Sequence, residues 1–117
     1  MLMTDSASPV VSVPTAFPPL APLLAAVGNP TRWAILAELS AGEPLMVIEL
    51  GDRLGCTPTL VSKHLAVLRK SGAVIIGRGK LYQIPAAYLK DPAQRLVDYG
   101  HCLLRFGGLV VDSSAGQ

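Results

Sequence analysis

Thr59, Ser62, Lys63, Ala66, Arg69 and Lys70 fall together within the run Thr57-Pro58-Thr59-Leu60-Val61-Ser62-Lys63-His64-Leu65-Ala66-Val67-Leu68-Arg69-Lys70. They offer hydroxyls and cations and no carboxylate. Such groups donate hydrogen bonds to phosphate oxygens and to the acceptor edges of bases. What puts them on one side is a helix. Thr57 is an N-cap residue whose hydroxyl takes a free amide hydrogen. Pro58 suits the first helical position, where a missing N–H costs nothing. Val61, Leu65 and Leu68 recur at i, i+4 and i+7 as a single apolar stripe. The candidate contact residues on this helix are Thr57, Thr59, Leu60, Ser62, Lys63, His64 and Arg69. His64 borders the stripe, so it either reads a base or packs and hydrogen-bonds locally. From this stretch alone, an ordinary solvated amphipathic helix is an equal reading. The rest of the chain separates the two.

The chain has 117 residues, half of them hydrophobic, which supports one domain with its own core. Only 15% are charged, so part of the apolar surface is expected to meet a partner subunit. The net charge of +2 hides an uneven distribution. Residues 53–90 hold Arg53, Lys63, Arg69, Lys70, Arg78, Lys80 and Lys90 and no acid, a charge of +7. The remainder holds three arginines against eight acids, a charge of −5. A contiguous basic third is the electrostatic footprint of a nucleic-acid surface. The two cysteines, Cys56 and Cys102, are too few for a disulfide framework. The start lacks a basic n-region and an apolar core, and no run is long enough to cross a bilayer. A cytoplasmic protein with reduced thiols is expected.

Residues 1–16 read as a flexible N-terminal arm, 17–107 as the folded domain and 108–117 as a flexible tail. Leu20, Leu23, Leu24 and Val27 predict a short first helix closed by Gly28. Asn29-Pro30 repeats the cap signal and opens a second helix, with Ile35, Leu36 and Leu39 on its buried side. Trp33 is expected to anchor the first helices to each other. Glu43 to Val47 is long enough for one small strand. Ile48, Leu50 and Leu54 make a third helix, stopped by Gly55. The link Gly55-Cys56-Thr57 is the compact connection of a helix-turn-helix. Cys56 in that link is either a small turn residue or a thiol activated near a helix N-terminus.

Beyond Ser71-Gly72, Ala73–Ile76 and Leu81–Ile84 are β-rich runs around Gly77-Arg78-Gly79-Lys80 and predict a hairpin. A helix-turn-helix followed by a basic-tipped hairpin is a winged helix. Arg78 and Lys80 would then touch phosphates or enter a minor groove, although charged hairpin tips also serve solubility. Asp91-Pro92 predicts a last helix, in which Leu96, Tyr99, Leu103 and Phe106 at offsets 0, 3, 7 and 10 form an a/d-like seam suited to pairing with another helix. The predicted fold is mainly α with a small β-hairpin wing, flanked by N- and C-terminal dimerisation helices.

Ala26-Val27-Gly28-Asn29-Pro30-Thr31-Arg32-Trp33-Ala34-Ile35-Leu36 resembles the "L-x-(D/N)-P-T-R-x-x-I-L" opening of the arsenic-repressor (ArsR) family of bacterial transcription regulators. Leu60 to Gly72 is similar to that family's "T-V-S-(R/K)-H-L-x-x-L-(R/K)-x-x-G" recognition helix. The resemblance covers about residues 20–106. It implies a homodimeric winged-helix repressor released from a palindromic operator by an inducer, with the first helix (Leu20, Leu23, Leu24) and the last helix at the dimer interface. The inducer sites depart from the pattern. Where thiolate sensors carry Cys-x-Cys, this chain has Met46 and Ile48. Where other members bind zinc between paired last helices, it has only Asp98 and His101 beside Cys102, with no later His or Glu. An ordinary interface histidine and a buried thiol explain that trio more simply than a ligand set. No metal site and no cofactor are expected.

A DNA-binding regulator accounts for the charge asymmetry, the helix-turn-helix, the wing and the pairing seam together. A winged-helix protein-interaction module without operator binding would account for the fold but not for the carboxylate-free third. An enzyme is disfavoured: there is no phosphate-cradling glycine loop or nucleophile–base pair, and two His and two Cys leave little to build one from.

Overall fold

Two proline-led caps start the helices on which the rest is hung. The computed structural model describes residues 17–107, so the expected arm and tail lie outside the described residues. Helix α1 spans Leu20–Val27 and α2 spans Pro30–Leu39. At the start of α2 the Asn29 side chain accepts from the amides of Thr31 and Arg32, at 2.9 and 3.0 Å. Helices α3 (Val47–Leu54) and α4 (Pro58–Ser71) are joined by Gly55-Cys56-Thr57. Thr57 Oγ1 accepts from the Leu60 amide at 3.2 Å, as its residue type predicts. Such caps are each worth about 1 kcal/mol.

Glycines set how tightly the helix-turn-helix folds. Gly55 takes φ +70° to end α3, and the Cys56 amide returns to the Gly51 carbonyl at 3.0 Å. A Cβ on Gly51 would lie 2.7 Å from the Cys56 carbonyl oxygen. Gly51 therefore lets the turn backbone lie directly against α3. At the far end of α4, Gly72 (φ +88°) donates to the Arg69 carbonyl and Ala73 to that of Leu68. This paired closure satisfies the last carbonyls of the helix.

The core collects Leu23, Ala26 and Val27 from α1, Ile35, Leu36 and Leu39 from α2, Leu50 from α3, and Val61, Leu65 and Leu68 from α4. The expected stripe on α4 is thus its buried side. The wing follows: β1 (Ile75–Ile76) pairs antiparallel with β2 (Tyr82–Gln83), Ile75 opposite Gln83 and Ile76 opposite Tyr82. The expected strand near residue 45 shrinks to a single bridge, in which Leu45 and Tyr82 exchange both backbone hydrogen bonds at 2.9 and 2.8 Å.

The predicted last helix does not form. Residues 89–105 instead make a three-stranded antiparallel sheet of β3 (Leu89–Asp91), β4 (Leu96–Asp98) and β5 (Leu103–Arg105). Asp91-Pro92 does cap helical backbone, but only one tight turn, Pro92–Gln94, which ends as Arg95 enters the left-handed region at φ +56°. Gly100 (φ +93°) and His101 form the loop between β4 and β5, closed by the Tyr99 amide on the Cys102 carbonyl at 2.9 Å. Leu96, Tyr99, Leu103 and Phe106 consequently share no seam. Tyr99 and Phe106 lie in the chain's own core, Leu96 is half-buried, and Leu103 is exposed.

This sheet is fastened to the helices at several points. Tyr99 donates its hydroxyl to the Ala73 carbonyl at 2.8 Å, just past α4. Burial raises the Tyr99 phenol pKa, so the hydroxyl stays protonated and a donor. Arg95 Nη1 donates to the Ala37 carbonyl of α2 at 3.1 Å. Trp33 meets the Phe106 ring with centroids 4.4 Å apart, so it ties α2 to the C-terminal segment rather than the first helices to each other.

Candidate nucleic-acid interface

Cap and stripe together decide which side of α4 faces water. With Val61, Leu65 and Leu68 turned inward, Thr59, Ser62, Lys63, Ala66, Arg69 and Lys70 are all exposed, as are Thr57 and Leu60. Apart from the expected contact at His64, the sequence-predicted residues of this helix therefore form one accessible surface. The two ends of the helix reinforce it. The first-turn amides add partial positive charge where Thr57 and Thr59 lie. Arg69 and Lys70 in the last turn oppose the negative end of the same dipole.

The wing supplies a second cationic projection. Arg78 and Lys80 are both exposed in the short turn between β1 and β2. Gly79 (φ +71°) and Lys80 (φ +59°) reverse the chain there, and the Gly77 amide donates to the Leu81 carbonyl at 2.8 Å across the neck. Beside the tip, Met46, Val47, Ile48, Gly79 and Lys80 line a groove of about 210 Å³. Met46 and Ile48 are exposed there and bring no thiolate, as their residue types require.

Two residues behave differently from the charge map. Arg53 pairs with Glu38 at 3.4 Å and Glu43 at 3.3 Å, so one of the seven cations of the basic third is neutralised within the fold. His64 is partly buried, and its Nδ1 lies 3.2 Å from Arg32 Nη1. A guanidinium can only donate, so Nδ1 accepts and the imidazole proton resides on Nε2. Burial first, then the charges of Arg32 and Lys63, lowers the His64 pKa from its ordinary 6.5. One ring nitrogen of His64 is thus engaged in a local hydrogen bond within the fold. Arg32 also donates Nε to the Ala26 carbonyl at 2.7 Å, which joins the end of α1 to α4. The sequence pointed to Arg32 only through the family motif, because its partners are distant in the chain.

The thiols are not clustered. Cys56 is half-buried in the turn, and its Sγ lies 3.8 Å from the Leu54 carbonyl. The Cys102 thiol has its pKa raised by burial and secondarily by Asp98, which disfavours the thiolate. Asp98 accepts from the Gly100 amide at 2.8 Å, and the His101 ring lies 6.2 Å from that of Phe17. The trio Asp98, His101 and Cys102 therefore belongs to a hairpin loop, not a helix. Among the described residues, no three His, Cys, Asp or Glu side chains gather as a metal site.

A family model described as a helix-turn-helix domain matches residues 27–76. The match runs from the end of α1 through α4 to the first strand of the wing. Among solved structures, HlyU from Vibrio cholerae N16961 is similar at 33% identity and a TM-score of 0.53, over 59% of this chain and 77% of that one. The chain belongs to the winged helix-turn-helix regulators. No curated protein sequence matches it significantly. As a winged helix-turn-helix protein it is a DNA-binding transcriptional regulator. None of the described helices is long and apolar enough to cross a membrane.

Proposed function

We propose that this winged helix protein is a repressor of the ArsR type that binds a palindromic operator as a homodimer. The carboxylate-free surface of α4 carries the reading: eight exposed positions from Thr59 to Lys70, among them three cations and two hydroxyls. In this reading Lys63 holds a phosphate, while Thr59 and Ser62 approach base edges from the first turns of α4. Arg78 and Lys80 reach the flanking backbone or minor groove. Two α4 helices related by a two-fold axis meet successive major grooves, about 34 Å apart. The dimer contact is assigned to α1, where Leu20 and Leu24 are exposed, whereas Leu23 is taken up by the core. No chemical reaction is assigned to the chain.

The test is fluorescence anisotropy of duplex DNA carrying the inverted repeat nearest the gene, titrated at several salt concentrations. A site with several phosphate contacts loses affinity steeply, with a log–log slope near −0.9 per contact. Binding as a dimer with that slope supports the proposal. Absence of duplex binding would leave the protein-interaction alternative.

A further inference from the structure

Helices α1 and α4 do not close on each other completely. Pro22, Ala25 and Ala26 present short side chains toward α4, and a groove of about 350 Å³ remains between them and Val67, Lys70 and Arg32. That volume is in the range of small-molecule sites. Its walls are mainly apolar, and its polar members are the cations Arg32 and Lys70 and Ser71, whose hydroxyl donates to the Leu68 carbonyl. Among the described residues the ion pairs all belong to Arg53, so neither Arg32 nor Lys70 has a carboxylate partner. Arg32 is held in place through Nε on the Ala26 carbonyl and Nη1 on His64, which leaves further N–H groups of its fork to donate.

We propose that this groove binds a small organic monocarboxylate, with its apolar body against Pro22, Ala25, Ala26 and Val67 and its carboxylate on Arg32 and Lys70. Two cations without carboxylate partners in the lining of a mainly apolar groove complement an anion that carries hydrocarbon. A nucleic-acid phosphate supplies the charge without the hydrocarbon and leaves the apolar wall uncovered. A second copy of the chain is not the matching occupant either. At about 100° per residue, Leu20 and Leu24 lie on the side of α1 away from Pro22 and Ala26. The site stands whether or not α4 reads DNA.

The experiment is an amide-detected NMR titration of the full chain with hexanoate, hexan-1-ol, acetate and inorganic phosphate in turn. Hexanoate is expected to shift Ala25, Ala26, Val67 and Lys70 saturably, and to bind at least about tenfold more tightly than acetate, because its methylenes enter the groove. Lys70→Glu, a change at an exposed position that leaves the core intact, should weaken hexanoate about fivefold. Equal binding of hexan-1-ol, or of phosphate, would overturn the proposal by removing the need for charge or for hydrocarbon. Shifts centred on Met46 and Ile48, no saturable shift, or unchanged affinity in Lys70→Glu would overturn it as well.

Discussion

Lys63 and Arg78 carry the same charge but occupy different parts of the proposed DNA interface. Lys63 sits mid-surface on a helix fixed by its own buried stripe, whereas Arg78 rides on a two-strand ribbon. Lys63→Ala is therefore expected to weaken binding to all duplexes and to lower the salt slope by about one. Arg78→Ala should weaken binding less, and anisotropy titrations of both variants against salt check the order. His64 gives a separate handle, because its lowered pKa has a defined consequence for stability. The unfolded chain binds a proton near pH 6.5 more readily than the native chain does. Stability is then complete above that pH and falls as pH drops from there through the lower native value. His64→Gln retains an acceptor for Arg32 but does not titrate. Its melting temperature should decline less between pH 7 and 5 than that of the parent protein, as followed by circular dichroism.

Helix caps and stripes are strong local signals, which is why α1 to α4 and the wing were legible from residue types alone. Asn29-Pro30 and Thr57-Pro58 each mark a helix start without help from tertiary contacts. The C-terminal segment departs from the helical expectation because its buried residues follow a period of two, Val97 with Tyr99 and Leu104 with Phe106, rather than the offsets 0, 3, 7 and 10 from Leu96 to Phe106. Val97 in β4 and Tyr99 just past it are buried, Leu104 in β5 and Phe106 just past it are the more buried positions there, and Leu103 and Arg105 face water. The overlooked cue is Gly100 followed by His101, a two-residue loop with glycine at its first position and a positive φ. At the candidate site, exposure of the α4 surface followed from periodicity. The Arg32–His64 bond and the neutralisation of Arg53 did not, because both depend on helix packing. The sheet that replaced the predicted helix is expected to contribute to stability through Tyr99. Tyr99→Phe leaves the Ala73 carbonyl without its hydroxyl donor in a buried setting, at a cost of about 1–3 kcal/mol. Urea denaturation should show a lower midpoint with an unchanged slope.

Replacing the C-terminal helix by a sheet relocates the assembly argument. A seam of Leu96, Tyr99, Leu103 and Phe106 would have offered a helical partner surface, but two of these residues are consumed by the core. Among the apolar residues accessible on the helical side, α1 contributes Leu20 at 40% and Leu24 at 49% exposure. A two-fold contact there places the same residues opposite each other, so a single change acts twice. Leu24→Asp sets two carboxylates into the contact without partners, a cost of several kcal/mol. Because Leu24 is half-exposed in the single chain, the fold itself should tolerate the change. Sedimentation is expected to find the parent protein dimeric and Leu24→Asp monomeric, with thermal unfolding little altered. Leu103→Asp, also at an exposed site but on β5, should leave the dimer intact. Operator affinity should fall with the first variant and not with the second, since one half-site alone supplies only half of the phosphate contacts. A monomeric Leu103→Asp beside a dimeric Leu24→Asp would move the interface to the C-terminal sheet.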